Sequence, residues 1–353
     1  MPVYRYLVAD LLTGTIKEEM PFSSVKFSHV LNRPGAFSAS IGLRHSKATR
    51  DVLDPGRTAI HIERDGVIVW SGILWTAKAS IENASLELGG EGWWSYFRHR
   101  KIRTTKTYTA QDQLFIVRDL INYAQSITGG NIGVVVGSET SGVTRDRVYY
   151  HYERKNLGEA VEQLAEVQGG FDFAIDCAWS GGSVVKTLIL SYPRRGRITD
   201  LTFQLGTNIQ GLSQEVDATR QANLIDSIGS GEADAMLIAT AADTSQLTAY
   251  PLLEDVTSYK DISVSATLQA HAASDLAKQK RPVTRIPTLL AVQSNPDAGL
   301  GTYITGDSVQ VVGSDGWLTV SERMRIQVID VAVDTNGKET VSLQFAQEEA
   351  SII

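Results

Sequence analysis

Six histidines, one cysteine and a few adjacent acids are the residues with which this chain could do chemistry, and their spacing argues against most of it. His29, His45, His61, His99, His151 and His271 are scattered, and no two stand four apart, the spacing that aims two imidazoles at one metal from a helix face. Cys177 is the only cysteine, which excludes an intrachain disulfide and a thiolate zinc cluster. Glu254-Asp255 and Glu348-Glu349 are acid pairs of the kind glycoside hydrolysis uses, but that reaction needs carboxylates on opposite sides of one bond. Neighbouring acids point apart or into solvent. There is no His-Glu-x-x-His, no Gly-x-Ser-x-Gly elbow and no glycine loop ending in Lys-Ser/Thr. Asn83-Ala-Ser85 has the glycosylation spelling without a secretory start ahead of it. The expectation is a protein that is no enzyme, with no catalytic residue, metal or cofactor.

One cluster could bind rather than react. Trp93-Trp94-Ser-Tyr96-Phe97-Arg98-His99-Arg100-Lys101 sets aromatics beside basic side chains, as a nucleic-acid or carbohydrate platform does. The competing reading packs the aromatics against the bottom of a β unit and leaves the charges on the exit loop. A single short run favours packing, yet Trp93 and Trp94, with Arg194, Arg195 and Arg197, are the candidate partner contacts.

The elements around these residues are mostly strands. Phe37, Ala39, Ile41 and Leu43 alternate with small polar residues, the mark of a half-buried strand. Two stretches share their wording: Gly56 to Asp65-Gly66, and Gly306 to Asp315-Gly316. Each places Asp-Gly after a short apolar strand, then further strands and a closing hairpin, at Glu82-Asn83 in one and Asn336-Gly337 in the other. Such dipeptides accept the positive φ of tight turns, a role that explains Asp65 and Asp315 without invoking a cation. One β-meander is therefore used twice, about 250 residues apart.

Between them the period changes. Leu114, Val117, Leu120, Ile121, Ala124 and Ile127 follow helical spacing, and Asn156 with Glu159 opens a second helix. Phe171 to Tyr192 reads as a hairpin, and Leu268, Ala272, Leu276 and Ala277 mark one last helix stopped by Pro282. The predicted fold is α+β, mostly β. It has two related small barrels, one in residues 1–105 and the other at about 230–353 within a remaining β region of 195–353. An α+β insert spans 106–194.

Composition agrees with a folded chain: 353 residues, 42% hydrophobic and 21% charged. The longest near-apolar run, Ala235 to Ala242, is too short to span a bilayer. The Met-Pro-Val-Tyr start lacks a basic-then-apolar leader, so the expectation is cytoplasmic synthesis and assembly. Net charge is −7 but uneven: 15 basic against 10 acidic side chains in 1–106, 10 against 13 in 107–225, and 8 against 17 in 226–353. So acidic a chain is a poor candidate for gripping phosphates, and its opposite-signed ends suit contacts between copies.

Tyr6-Leu-Val-Ala-Asp10-Leu-Leu-Thr-Gly14, Leu31-Asn-Arg-Pro-Gly35-Ala-Phe-Ser-Ala-Ser-Ile41 and the closing Gly306-Asp307-Ser-Val-Gln-Val resemble tail-tip hub proteins. These are minor tail proteins of long-tailed phages of actinobacteria, similar in fold to baseplate hubs of contractile tails. The resemblance covers nearly the whole chain, and it implies a virion protein at the tail tip. It implies a homotrimer whose six tube-type barrels sit under a sixfold tail tube. Its neighbours would be the distal tail protein, the tape measure protein and fibre or spike proteins. DNA would meet it only in transit, through a channel whose wall could be acidic. Against this stand a receptor- or carbohydrate-binding tail protein, which would expose Trp93 and Trp94, and a cell-wall hydrolase, which would need an acid-base pair.

Overall fold

In the computed structural model, which describes residues 2–292 and 295–347, strand accounts for 48% of the chain and helix for 16%. The β-dominated α+β class is thus as expected; Glu348-Glu349 lie outside the described residues. Seven strands come first: β1 (Tyr4–Asp10), β2 (Ile16–Glu19), β3 (Ser23–Val30), β4 (Ala36–Gly42), β5 (Thr58–Arg64), β6 (Val67–Ser80) and β7 (Ser85–Gly92). Then follow α1 (Trp94–Arg98), β8 (Lys106–Asp112), α2 (Gln113–Ser126), β9 (Val134–Val136), β10 (Thr144–Tyr149), α3 (Leu157–Ala165), β11 (Asp172–Ser180) and β12 (Ser183–Ser191). The last part holds β13 (Ile198–Gln204), β14 (Ile209–Asp217), β15 (Leu224–Ile228), β16 (Ile238–Ala242), β17 (Glu254–Ser258) and α4 (Ser265–Gln279). It ends with β18 (Val283–Ala291), β19 (Ser308–Asp315), β20 (Leu318–Val333) and β21 (Glu339–Gln347).

The repeated wording marks a repeated topology that is wider than the meander. In the first half the hydrogen-bonded order is β3-β4-β7-β6-β5-β1, and in the second it is β14-β18-β21-β20-β19-β13, with β1–β5 antiparallel but β13–β19 parallel. One ladder irregularity coincides. The β6–β7 ladder slips at Trp75, between Leu74 and Thr76, and the β20–β21 ladder slips at Gln327, between Ile326 and Val328. The slip also fixes the equivalence of the two long strands, with Thr76 matching Val328 and Ser80 matching Ala332. The two halves do not sit apart. Val328–Val333 of β20 pair antiparallel with Val25–Val30 of β3, which merges both halves into a single 13-stranded sheet.

Three details refine the sequence reading. Val67 to Trp70 and then Ile73 to Trp75 read in the sequence as successive apolar stretches, and β6 runs continuously through both. A Cβ on Gly72 would stand 2.3 Å from the Glu91 carbonyl oxygen, so this glycine admits a close neighbour and is no break. The two Asp-Gly turns are also not alike. Asp65 (φ 50°) and Gly66 (φ 85°) both form the loop, whereas Asp315 pairs with Leu318 and the second loop is Gly316-Trp317. Finally, the second β unit was expected at about 230–353. Its strands come from 198–217 and 283–347, because residues 224–279 form their own three-stranded sheet, β16-β15-β17, backed by α4.

The insert folds for legible reasons. Asp112 accepts the amides of Leu114 and Phe115 and so caps α2, while Asn156 accepts the Glu159 amide at the start of α3. The apolar faces of both helices share a core with Trp94, Phe97, Phe173 and Leu188, separate from the main core that runs through both β halves.

Asp172 ties the three parts together. Its Oδ1 accepts the Asn32 amide nitrogen of the first half at 2.7 Å. Its Oδ2 accepts the Arg195 backbone amide at 2.7 Å and the Arg325 guanidinium of the second half. Asn32 answers by accepting the Phe173 amide at 2.8 Å. Asp172 is only 6% exposed, so removing it strands a largely buried guanidinium. Asp172→Ala should lower unfolding free energy by about 3–5 kcal/mol. Glu18→Ala, which breaks an exposed pair with Lys47, should leave the unfolding midpoint essentially unchanged. Urea unfolding of both variants against the parent checks the contrast.

Candidate assembly interface

Few of the groups that could carry chemistry come together. Among the described residues no three His, Cys, Asp or Glu side chains gather to hold a metal. Glu254 and Asp255 alternate along β17 and face opposite sides. A cavity of about 410 Å³ opens between the first half, the insert and the second half, lined by residues including Trp70, Ser71, Trp93, Cys177, Arg195 and Tyr303. Beside it, His61 Nδ1 lies 2.7 Å from Ser71 Oγ, a contact with the look of a nucleophile and its base. The surroundings remove that role. Trp93 Nε1 also donates to Ser71 Oγ at 2.7 Å, no carboxylate among the described residues bonds to His61 to orient it, and burial pushes its pKa down to about 4. Burial likewise pushes the Cys177 thiol up to about 12, which leaves it a weak nucleophile. His61 is a buried strand residue whose Nδ1 is paired with Ser71 Oγ.

The expected partner contacts are used inside the chain. Trp93 and Trp94 are 2% and 3% exposed and offer no ring face to a sugar or base. Lys186 Nζ sits 4.3 Å over the Trp93 ring, and Trp94 Nε1 donates to Glu162, which also takes the Arg98 guanidinium. The aromatics therefore pack between the first half, at Ala9, Leu11, Ala59 and Ile73, and the insert. Arg194, half-buried, begins the joint between insert and second half. There Arg195 pairs with Asp176 at 2.9 Å, and the Arg197 amide donates to Asp307 at 2.9 Å. Gly196 belongs to the same joint: its φ is +83°, and a Cβ would lie 2.2 Å from the Gly306 carbonyl carbon. Asp65 accepts the Val3 amide, and Asp334 accepts the amides of Asn336 and Lys338 to build the Asn336-Gly337 turn. These contacts hold the two turns.

What remains unpartnered is backbone and one broad face. β14 pairs with β18 on one side, and the Thr76–Ser80 end of β6 pairs with β7 on one side. Among the described residues neither segment has a strand on its other edge. Between these edges run eight strands, β14-β18-β21-β20-β3-β4-β7-β6, all antiparallel to their neighbours. Their inner side chains, such as Phe27, Phe37, Leu88, Ile329 and Leu343, are buried in the main core. The alternate positions are small or polar, as in Ser38, Ser40, Gly89 and Ser342, and include Lys26, Lys78 and Arg285 beside Glu87, Glu91 and Asp330. The acidic excess of 226–353 is not concentrated on this face.

No family model matches the sequence, and no curated protein does. Solved structures do match, over nearly the whole chain. The 43 kDa tail protein of prophage MuSo2 from Shewanella oneidensis superposes with a TM-score of 0.66 at 12% identity, covering 97% of this chain and 98% of that one. The tail protein from Neisseria meningitidis MC58 gives 0.64 at 15% identity, covering 97% of each. A component of the E. coli type VI secretion system, itself structurally similar to the T4 tail proteins gp27 and gp5, gives 0.51 at 12% identity, covering 94% of this chain and 74% of that one. The fold is therefore that of phage and prophage tail proteins. No helix among the described residues is long and apolar enough to cross a membrane.

The buried histidines give the fold a pH dependence. Desolvation lowers both His61 and His271 to about 4, against about 6.5 in an unfolded chain. The unfolded state thus binds more protons below pH 6.5, and stability present above that pH is lost as it falls toward 4. The loss is up to about 3 kcal/mol for each group. Urea midpoints measured from pH 7 to pH 4 should fall, and the fall should be shallower in His61→Gln.

Proposed function

We propose that this chain is a structural virion protein, the hub at the tip of a long phage tail. Three copies form a ring of six β modules that closes the tail tube and leaves a channel for the genome. The observation that carries the reading is the doubled module. Two strand sets of the same order lie side by side in one sheet, so a threefold ring of the chain presents six near-equivalent units to a sixfold tube. The whole-length fold shared with tail proteins supports it. So does the solvated face of the eight strands, whose small and mixed-charge side chains suit a wall past which DNA slides without binding.

In this reading the distal tail protein and the end of the tape measure protein contact one rim, and fibre or spike proteins contact the other. The insert braces the ring through Trp94, Arg98 and Glu162. Burial of Trp93 and Trp94 disfavours a carbohydrate platform, and the separated acids disfavour a hydrolase. Native mass spectrometry and electron-microscopic class averages of the purified full chain, alone and in assembled tails, test the proposal. The expected particle is a threefold ring with a central hole. A chain that stays monomeric in solution and is absent from tail tips overturns it.

A further inference from the structure

Resting on the reading of the chain as a ring-forming hub, the structure assigns the contact that closes the ring. We propose that Thr76–Ser80 of β6 in one copy pairs antiparallel with Ser213–Asp217 of β14 in the next, with Lys78 opposite Glu215.

The argument is the internal repeat. Within one chain the end of β20 pairs with β3 and joins the second half to the first. The first-half counterpart of that part of β20 is Thr76–Ser80, and the second-half counterpart of β3 is β14. The equivalent joint therefore needs a β6 end and a β14 edge, and a single chain has them at opposite ends of its run of eight strands. Between copies they meet, head to tail, by repeating the step already made within the chain. Such a contact closes into a ring when its rotation divides the circle.

The register follows from the ladders within one chain. Asp330 faces Ser28, and Asp330 corresponds to Lys78 through the matching slips in the ladders. Ser28 is next to Phe27, which faces Phe37, and Phe37 corresponds to Ile286, because they face Gly90 and Phe345 at those same slips. One step along, Glu215 faces Arg285, so Glu215 takes the place of Ser28. A basic side chain then meets an acidic one. Ala77 meets Val216, which is 45% exposed in the single chain. Ile81, 86% exposed, corresponds to Val333, which is 3% exposed at the joint within the chain. Apolar side chains left open at both edges stand where the internal joint buries its own.

The test is disulfide trapping in the full chain. In a Cys177→Ser background, Lys78→Cys with Glu215→Cys should give, on mild oxidation, covalent dimers and trimers on a non-reducing gel. Either cysteine alone should give no trimer, and Lys78→Cys with Ser213→Cys, two residues out of register, should give several-fold less product. A native trimer that yields no cross-link in the registered pair overturns this contact and leaves the hub reading standing. A chain without any oligomer or cross-link overturns both.

Discussion

The seam between Val25–Val30 and Val328–Val333 governs the rest of the architecture. It pairs the second strand hairpin of the chain with its next-to-last strand, across some 300 residues, so neither half can settle independently of the other. Its side chains point both ways at once. Val25, Phe27, Ile329, Val331 and Val333 enter the main core, each burial stabilising by about 1.5–3 kcal/mol, while Lys26 and Asp330 stay on the solvated face. A slip of one residue would exchange these two sets, which is why the register is firmly specified.

Ionic contacts then hold the halves at the angle the seam allows. Glu339, at the start of β21, accepts the Tyr4 hydroxyl at 2.6 Å and takes the Arg64 guanidinium, both from the first half. Asp172 does the same for the insert. Both carboxylates are nearly buried, and each meets several donors from different parts of the chain. Buried ion pairs add little net stability over apolar packing, but they strongly penalise any arrangement that leaves one charge without its partner. Their effect here is to select one mutual placement of three units.

Much of this was legible in the residues. The strands with clean alternation, Phe37 to Ile41 above all, are found where expected, and Asn156 opens its helix. The meander was visible because its turns need residues that accept positive φ, and such residues are few. The wider repeat was hidden for two physical reasons. β1, β3 and β4 share with β13, β14 and β18 only their place in the sheet, which many apolar sequences can fill. A three-stranded unit with α4 also separates β14 from β18. β8 and β10 went unseen because their ladder is largely solvent-facing, with Tyr108 and Tyr149 its buried side chains. Burial of Trp93 and Trp94 depended on the insert folding over them, which no local pattern records.

The two halves also diverge in an informative way. Each connects its meander to the strands beside it, but the additions differ in place: the α+β insert follows the first meander, and the β15–β17 unit interrupts the second half between β14 and β18. Neither addition breaks the run of eight strands or adds a strand to its free edges. A ladder of backbone amides and carbonyls asks only for extended chain, whereas each insertion must carry its own apolar cover, as Leu268 and Ala272 do for β15–β17. Lateral pairing is thus the part of the fold least dependent on particular side chains, which is how two halves with so little shared wording keep the same order of strands.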